Sequence, residues 1–99
     1  MIINKSQENG ILTLALEGKL DTTSSPQLKA ALLPAIDEAK NVVLDFAQVA
    51  FVSSAGLRVL LLGRKESKAK GVSMKLKNVS AVIKEVFDIT GFSEILEIE

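Results

Sequence analysis

Ser53 and Ser54 stand side by side in FVSSAGLRVLL, positions 51–61, between the apolar pair Phe51 and Val52 and a leucine-rich run. Three chemistries suit two hydroxyls where a strand hands over to a helix. A serine there can cap the helix by accepting a bond from a free first-turn amide, which stabilises by about 1 kcal/mol. One serine suffices for that, so capping accounts for one of the pair. A serine at a sharp strand-to-helix turn is also the nucleophile of G-x-S-x-G hydrolases, but VSSAG lacks the first glycine and the chain has no His to act as base. The third chemistry is phosphorylation. A phosphate at a helix N-terminus meets free amides and the positive end of the dipole, so the fold tolerates it. It adds about −1.5 to −2 charges to a neutral, partly apolar surface and changes what docks there.

Composition narrows the choice. With neither Cys nor His, the chain lacks disulfides, the usual zinc ligand sets, thiol nucleophiles and the commonest general base. Carboxylates, lysines and hydroxyls remain. Asp21 reads as a turn residue and Asp45 as an outward strand position, and nothing in the sequence brings them together. An enzyme is therefore not expected, nor a cofactor or a metal. The 12 basic and 12 acidic residues balance, which argues against a nucleic-acid binder whose affinity rests on phosphate neutralisation. No apolar run approaches the roughly 20 residues that span a bilayer, and the start of the chain has no signal-peptide pattern. A soluble cytoplasmic protein without membrane insertion is expected.

The elements that must position the serines follow from patterning. Ninety-nine residues, 47% hydrophobic and with four Phe as the only aromatics, suit one domain with an aliphatic core. The spacing predicts strands at 2–6 and 11–20, joined by a hairpin at Asn9-Gly10, where both residues tolerate positive φ. In DTTSSPQLKAALLPAIDEAK, Ser25 and Pro26 form a cap and first-turn pair. Leu28, Leu32, Ala35, Ile36 and Ala39 recur at helical spacing, and Pro34 predicts a kink or break, since an interior proline costs about 3 kcal/mol. Residues 41–49 alternate as a strand.

After the serines a helix runs to about Lys70 and stops at Gly71. A strand follows over 72–79. Residues 80–92 read as a helix capped by Ser80 and stopped by Gly91, with Val82, Ile83, Val86, Phe87 and Ile89 as its apolar stripe. EILEIE closes as a strand.

The order β-β-α-β-α-β-α-β, with strand–helix–strand repeats, predicts an α/β fold with mostly parallel pairing. Most strands alternate apolar with polar residues, so the helices are expected on one face of a mixed sheet of about five strands, with the other face wet. From Ala55 to Leu62 only Gly56 and Arg58 interrupt the apolar residues. Such a helix is wedged between neighbours, exposes part of its first half as a docking patch, or does both. RKESKAKG at its end reads as a solvated basic terminus that suits the helix dipole.

End to end, the chain resembles a STAS domain of the anti-sigma factor antagonist family. In that family a strand ends in Asp-Ser-Ser/Thr-Gly-Leu at a helix start, and the first Ser is phosphorylated. VSSAGLRVLL places Ser53 at the Asp, Ser54 at the phosphorylated Ser, Ala55 at the second hydroxyl residue and Gly56-Leu57 at themselves. GKLDTTSSPQL resembles the family's Gly-x-Leu-Asp turn, setting Gly18, Leu20 and Asp21 beside the switch, and VFDITGF resembles its Leu/Phe-x-x-Thr/Ser-Gly segment. The resemblance implies a single STAS domain over residues 1–99 that acts by partner switching. The unphosphorylated form binds an anti-sigma factor, a serine kinase of the histidine-kinase-like ATPase type, and frees the sigma factor. Phosphorylation of Ser54 releases it, and a PP2C-type phosphatase restores the binding form. Loss of the motif Asp makes Ser53 a rival acceptor. The implied partner surface comprises Gly18, Leu20, Asp21, Thr22, Ser53, Ser54, Ala55, Gly56, Leu57 and Arg58. The alternative is a STAS subunit that never switches, in an ABC transporter or a stress-signalling scaffold.

Overall fold

The computed structural model describes residues 1–99. Asn9 and Gly10 form a two-residue turn with φ of 53° and 78°, the paired positive values that a type I′ connection requires. The turn joins β1 (Ile2–Glu8) to β2 (Ile11–Leu20) in antiparallel register. Then come α1 (Ser25–Glu38), β3 (Asn41–Val52), α2 (Ser54–Ala69), β4 (Ser73–Lys77), α3 (Ala81–Thr90), a 3-10 turn (Phe92–Glu94) and β5 (Glu97–Ile98). The five strands lie in sequence order in one sheet, β1 antiparallel and the rest parallel. The mixed sheet and the element order are those read from the sequence.

Alternate strand positions fill the helix-covered face. Leu12, Leu14 and Leu16 on β2, Val42, Leu44 and Phe46 on β3, and Met74 and Leu76 on β4 are each at most 1% exposed. Their alternates Thr13, Ala15, Val43 and Asp45 are only half-buried on the other face. The core is one contiguous cluster of 21 apolar residues. Helix α2 packs between α1 and strands β3 and β4, the wedged position its apolar run predicts. Phe87 of α3 meets Phe46 edge-to-face, with ring centroids 6.2 Å apart.

Four details differ from the sequence reading. Helix α1 runs unbroken through Pro34. Pro34 is exposed, while Leu32 and Ile36 on either side are fully buried. Burial of two such side chains, about 1.5–3 kcal/mol each, holds the helix against a proline penalty of about 3 kcal/mol. Ser25 is the first helical residue rather than the cap, and Ser24 occupies the cap position. Only Ile83 and Phe87 of the α3 stripe are buried, whereas Val82 and Ile89 are 71% and 78% exposed, because α3 borders the core along a single narrow line. The closing strand shrinks to Glu97–Ile98, with Glu94 ending the 3-10 turn and Ile95 and Leu96 in the bend that follows it.

Candidate functional site

The site is built where β3 ends. Opposite β2, β3 carries two extra residues: Ala15 pairs with Asp45 but Glu17 with Gln48, and Gly18 with Val49 but Lys19 with Phe51. Inward positions therefore fall at Phe46, Val49 and Val52, three apart, and Gln48 and Ala50 turn to solvent. Bulges of this kind bend and re-aim a strand. Asp45 organises the first of them, its Oδ1 accepting from the Ala47 amide and from Asn78 Nδ2, both at 3.0 Å. Partial burial pushes the Asp45 carboxyl up, but the Ala47 amide, the Asn78 amide and the Lys77 charge together outweigh it and hold it below the ordinary range. Thus Asp45 is more than an outward strand position.

The re-aimed strand brings Ser53 to the end of β2. Its backbone N–H donates to the Leu20 carbonyl at 2.8 Å. Ser53 is extended, with φ −92° and ψ 174°, and caps α2: its Oγ accepts from the Gly56 N–H at 3.3 Å. Gly56 is buried, and a Cβ there would fall 2.7 Å from Leu20 Cγ and 2.9 Å from the Leu20 carbonyl oxygen. Glycine alone lets the helix start this close to β2. Ser54, the first residue of α2, is exposed, and its hydroxyl takes no part in the bonds of the junction. Ser53 is thus the cap, and Ser54 is left free of the junction's hydrogen bonds. Ser53→Ala is expected to cost about 1 kcal/mol of stability, read as a lower urea midpoint at unchanged m-value, with the Ser54 hydroxyl still accessible.

The facing turn is held by Asp21. Its Oδ1 accepts from the amides of Thr23 and Ser24, both at 3.0 Å, which closes the turn ahead of α1; the helix itself has no side-chain cap bond, so the capping expected of the Ser25 hydroxyl is not made. Ser24 Oγ donates to the Lys19 carbonyl at 2.6 Å and accepts from the Asp21 amide at 2.9 Å, and Ser25 Oγ donates to the Asp21 carbonyl. The Ser24 amide, with help from the Ser24 hydroxyl and the Thr23 amide, holds the Asp21 carboxyl below its ordinary value. At the far end of the chain the Ser93 hydroxyl, then Lys84, do the same for Asp88. A carboxyl depressed in the fold binds its proton more weakly than in the unfolded chain, whose value is about 3.9. Its stabilisation is present above that value and is lost as pH falls through the folded one. Asp21→Asn is accordingly expected to flatten the acid limb of a stability-versus-pH curve below about pH 5, and carboxyl NMR titration checks the depressed value directly.

The structure brings the predicted residues together but sorts them by depth. Thr22, Ser54, Arg58 and Gly18 are exposed, while Asp21, Ser53 and Ala55 are half-buried. Leu20 and Leu57 are 0% and 8% exposed and Gly56 is buried, so their side chains are not contact surface; they set the height of the serine corner. The buried or half-buried leucines of α2 likewise leave no apolar patch on its first half. The exposed apolar residue of the corner is Phe51, at 48%. Its signal in the sequence was its place beside Val52, which faces inward. A surface depression of about 540 Å³ lies away from the corner, by Lys75, Lys84, Ser93 and Glu97. No group of three or more acidic residues gathers to hold a metal ion, and no helix is long and apolar enough to cross a membrane.

A helix-backed mixed sheet with an exposed serine at its β3–α2 corner defines a small α/β domain. The chain belongs to the STAS domain family, whose sequence profile matches residues 3–99. The anti-sigma-B factor antagonist of Bacillus subtilis strain 168 is 33% identical over 94 residues, which cover 95% of this chain and 85% of that protein. Among solved structures, an anti-sigma factor antagonist from Mycobacterium paratuberculosis has a TM-score of 0.88 at 18% identity, covering 98% of this chain and 83% of that one. SpoIIAA, an anti-sigma factor antagonist and Bacillus cell fate determinant, has been solved in its unphosphorylated and phosphorylated forms. Their TM-scores are 0.76 and 0.75, each at 21% identity, covering 99% of this chain and 87% and 91% of those.

Proposed function

We propose that this protein is an anti-sigma factor antagonist that works by partner switching, with Ser54 as the switch. The observation that carries the reading is the division of labour at the corner: Ser53 is held as a cap, while Ser54 stands exposed and unbonded at the first position of α2. In the unmodified state the corner docks on an anti-sigma factor, which releases its sigma factor. That anti-sigma factor is a serine kinase of the histidine-kinase-like ATPase type. The kinase transfers the γ-phosphoryl group of ATP: the bond from γ-phosphorus to the bridging oxygen of ADP breaks, the Ser54 Oγ–phosphorus bond forms, and the hydroxyl proton leaves to a base on the kinase. Added charge in a partly desolvated contact then separates the complex. A PP2C-type phosphatase hydrolyses the ester and restores the docking form. ATP belongs to the kinase, and the antagonist acts in the cytoplasm as a protein ligand rather than an enzyme. That a protein of the same fold has been solved in unphosphorylated and phosphorylated forms supports a fold that can carry the mark.

Intact-mass analysis after incubation with the cognate kinase and ATP, followed by peptide mapping, tests this. One phosphate on Ser54 is expected. A phosphate on Ser53, or none, counts against the switch, and co-purification with a membrane ATPase or a large homomeric assembly would favour a non-switching subunit.

A further inference from the structure

Ser54 and Arg58 are both exposed and lie four residues apart on α2. Residues at that spacing share one helix face, with Cβ atoms about 5–6 Å apart. A long helical side chain leans back toward the N-terminus, over the turn that holds its i−4 neighbour. The natural reach of Arg58 is therefore Ser54. The guanidinium has no other engagement. The protein's ion pairs join Lys5 to Glu38, Arg64 to Glu97, Lys70 to Asp37 and Glu66, and Lys84 to Asp88. Across the junction, the Asp21 carboxylate is committed to the amides of Thr23 and Ser24.

We propose that Arg58 is the intramolecular receptor for a phosphate on Ser54. In the unmodified protein this cation projects freely from the docking face and is available to an acidic group on the partner. After phosphorylation the planar guanidinium turns onto the phosphate oxygens, which its parallel N–H donors match in pairs. The mark then acts twice: it adds an anion to the face and withdraws a cation from it. A single phosphate thereby produces a larger change of surface than its own charge supplies, with the helix unmoved.

The inference rests on Ser54 being the switch, but its test is independent of any kinase. The full chain is prepared with phosphoserine placed at position 54 during synthesis, and its phosphorus NMR signal is titrated. An isolated phosphoserine has its second pKa near 6. In the wild-type background that value is expected about 0.3–0.5 of a unit lower than in Arg58→Gln, two- to threefold in the proton equilibrium. Arg58→Lys should retain part of the shift, because it keeps the charge and loses the fork. Lys19→Gln, which removes another exposed cation near the corner, should leave the shift whole. The helix-start amides act on the phosphate equally in every variant, so the comparison isolates Arg58. Its Nε–H resonance is also expected to move on modification. Identical titration curves for wild type and Arg58→Gln, or a shift that disappears in Lys19→Gln instead, would overturn the proposal. Arg58 is exposed and unpaired, so Arg58→Gln folds; an unchanged thermal midpoint verifies it. Should the kinase fail to modify Ser54 while the installed phosphate still shows the Arg58 shift, the switching role is lost and the receptor stands.

Discussion

Phosphorylated Ser54 is expected to bind the anti-sigma factor about a hundredfold more weakly than the unmodified protein, a difference of about 2.7 kcal/mol. Ser54→Asp, with a single negative charge, should weaken binding at least tenfold, and Ser54→Ala should bind as tightly as the unmodified wild type while resisting inactivation by kinase and ATP. Isothermal titration of the four forms makes the comparison. The prediction is clean because Ser54 contributes nothing to the junction's hydrogen bonds. An aspartate at the first helical position sits beside free amides and should raise stability by about 0.3–1 kcal/mol. Weaker binding by a more stable variant cannot be ascribed to unfolding. Equal affinity of Ser54→Ala and Ser54→Asp would dispose of the charge mechanism.

Gly56→Ala is expected to destabilise the protein by about 1–3 kcal/mol, and the sign is the informative part. Alanine is favoured over glycine in a helix by about 1 kcal/mol, so propensity alone argues for a more stable protein. Against that, the new methyl group would lie 2.7 Å from Leu20 Cγ and 2.9 Å from the Leu20 carbonyl oxygen. Leu20 is wholly buried, and its carbonyl already accepts the Ser53 N–H. A backbone oxygen in a ladder cannot swing away as a side-chain tip can, so the start of α2 must lift from β2. Chemical denaturation should show a lower midpoint at unchanged m-value, and affinity for the anti-sigma factor should fall as the corner shifts. A stability equal to or above wild type would mean that the close approach is not a constraint.

Much of this architecture is legible in local sequence. Asn9-Gly10 specifies its hairpin, Ser80 and Gly91 bracket α3 with a side-chain cap and a left-handed stop, and Leu12, Leu14 and Leu16 declare which face of β2 is covered. These are effects that neighbouring residues decide among themselves. What escapes is decided by residues far away in the chain. Pro34 stays helical because Leu32 and Ile36 are buried on either side of it. The two extra residues of β3 become visible only against β2, and they move the inward positions to Val49 and Val52 while turning Phe51 out. Leu20, Gly56 and Leu57 carry a motif's identity yet lie beneath the surface that the motif presents. Motif matching identifies the corner as a unit, and packing alone tells which of its members a partner could touch.

At the corner that bears Ser54, the end of β2, the cap and the first turn of α2 are already bonded to one another without any modification. The chain has no histidine or thiol and no acidic cluster placed to hold a metal ion, and uncatalysed hydrolysis of phosphate monoesters is among the slowest reactions known in water. If Ser54 is the switch proposed above, the molecule keeps its record as a covalent inscription instead of a shape. On the proposed switch, the lifetime of that record would be set by the kinase and phosphatase that act on Ser54 rather than by relaxation of the fold.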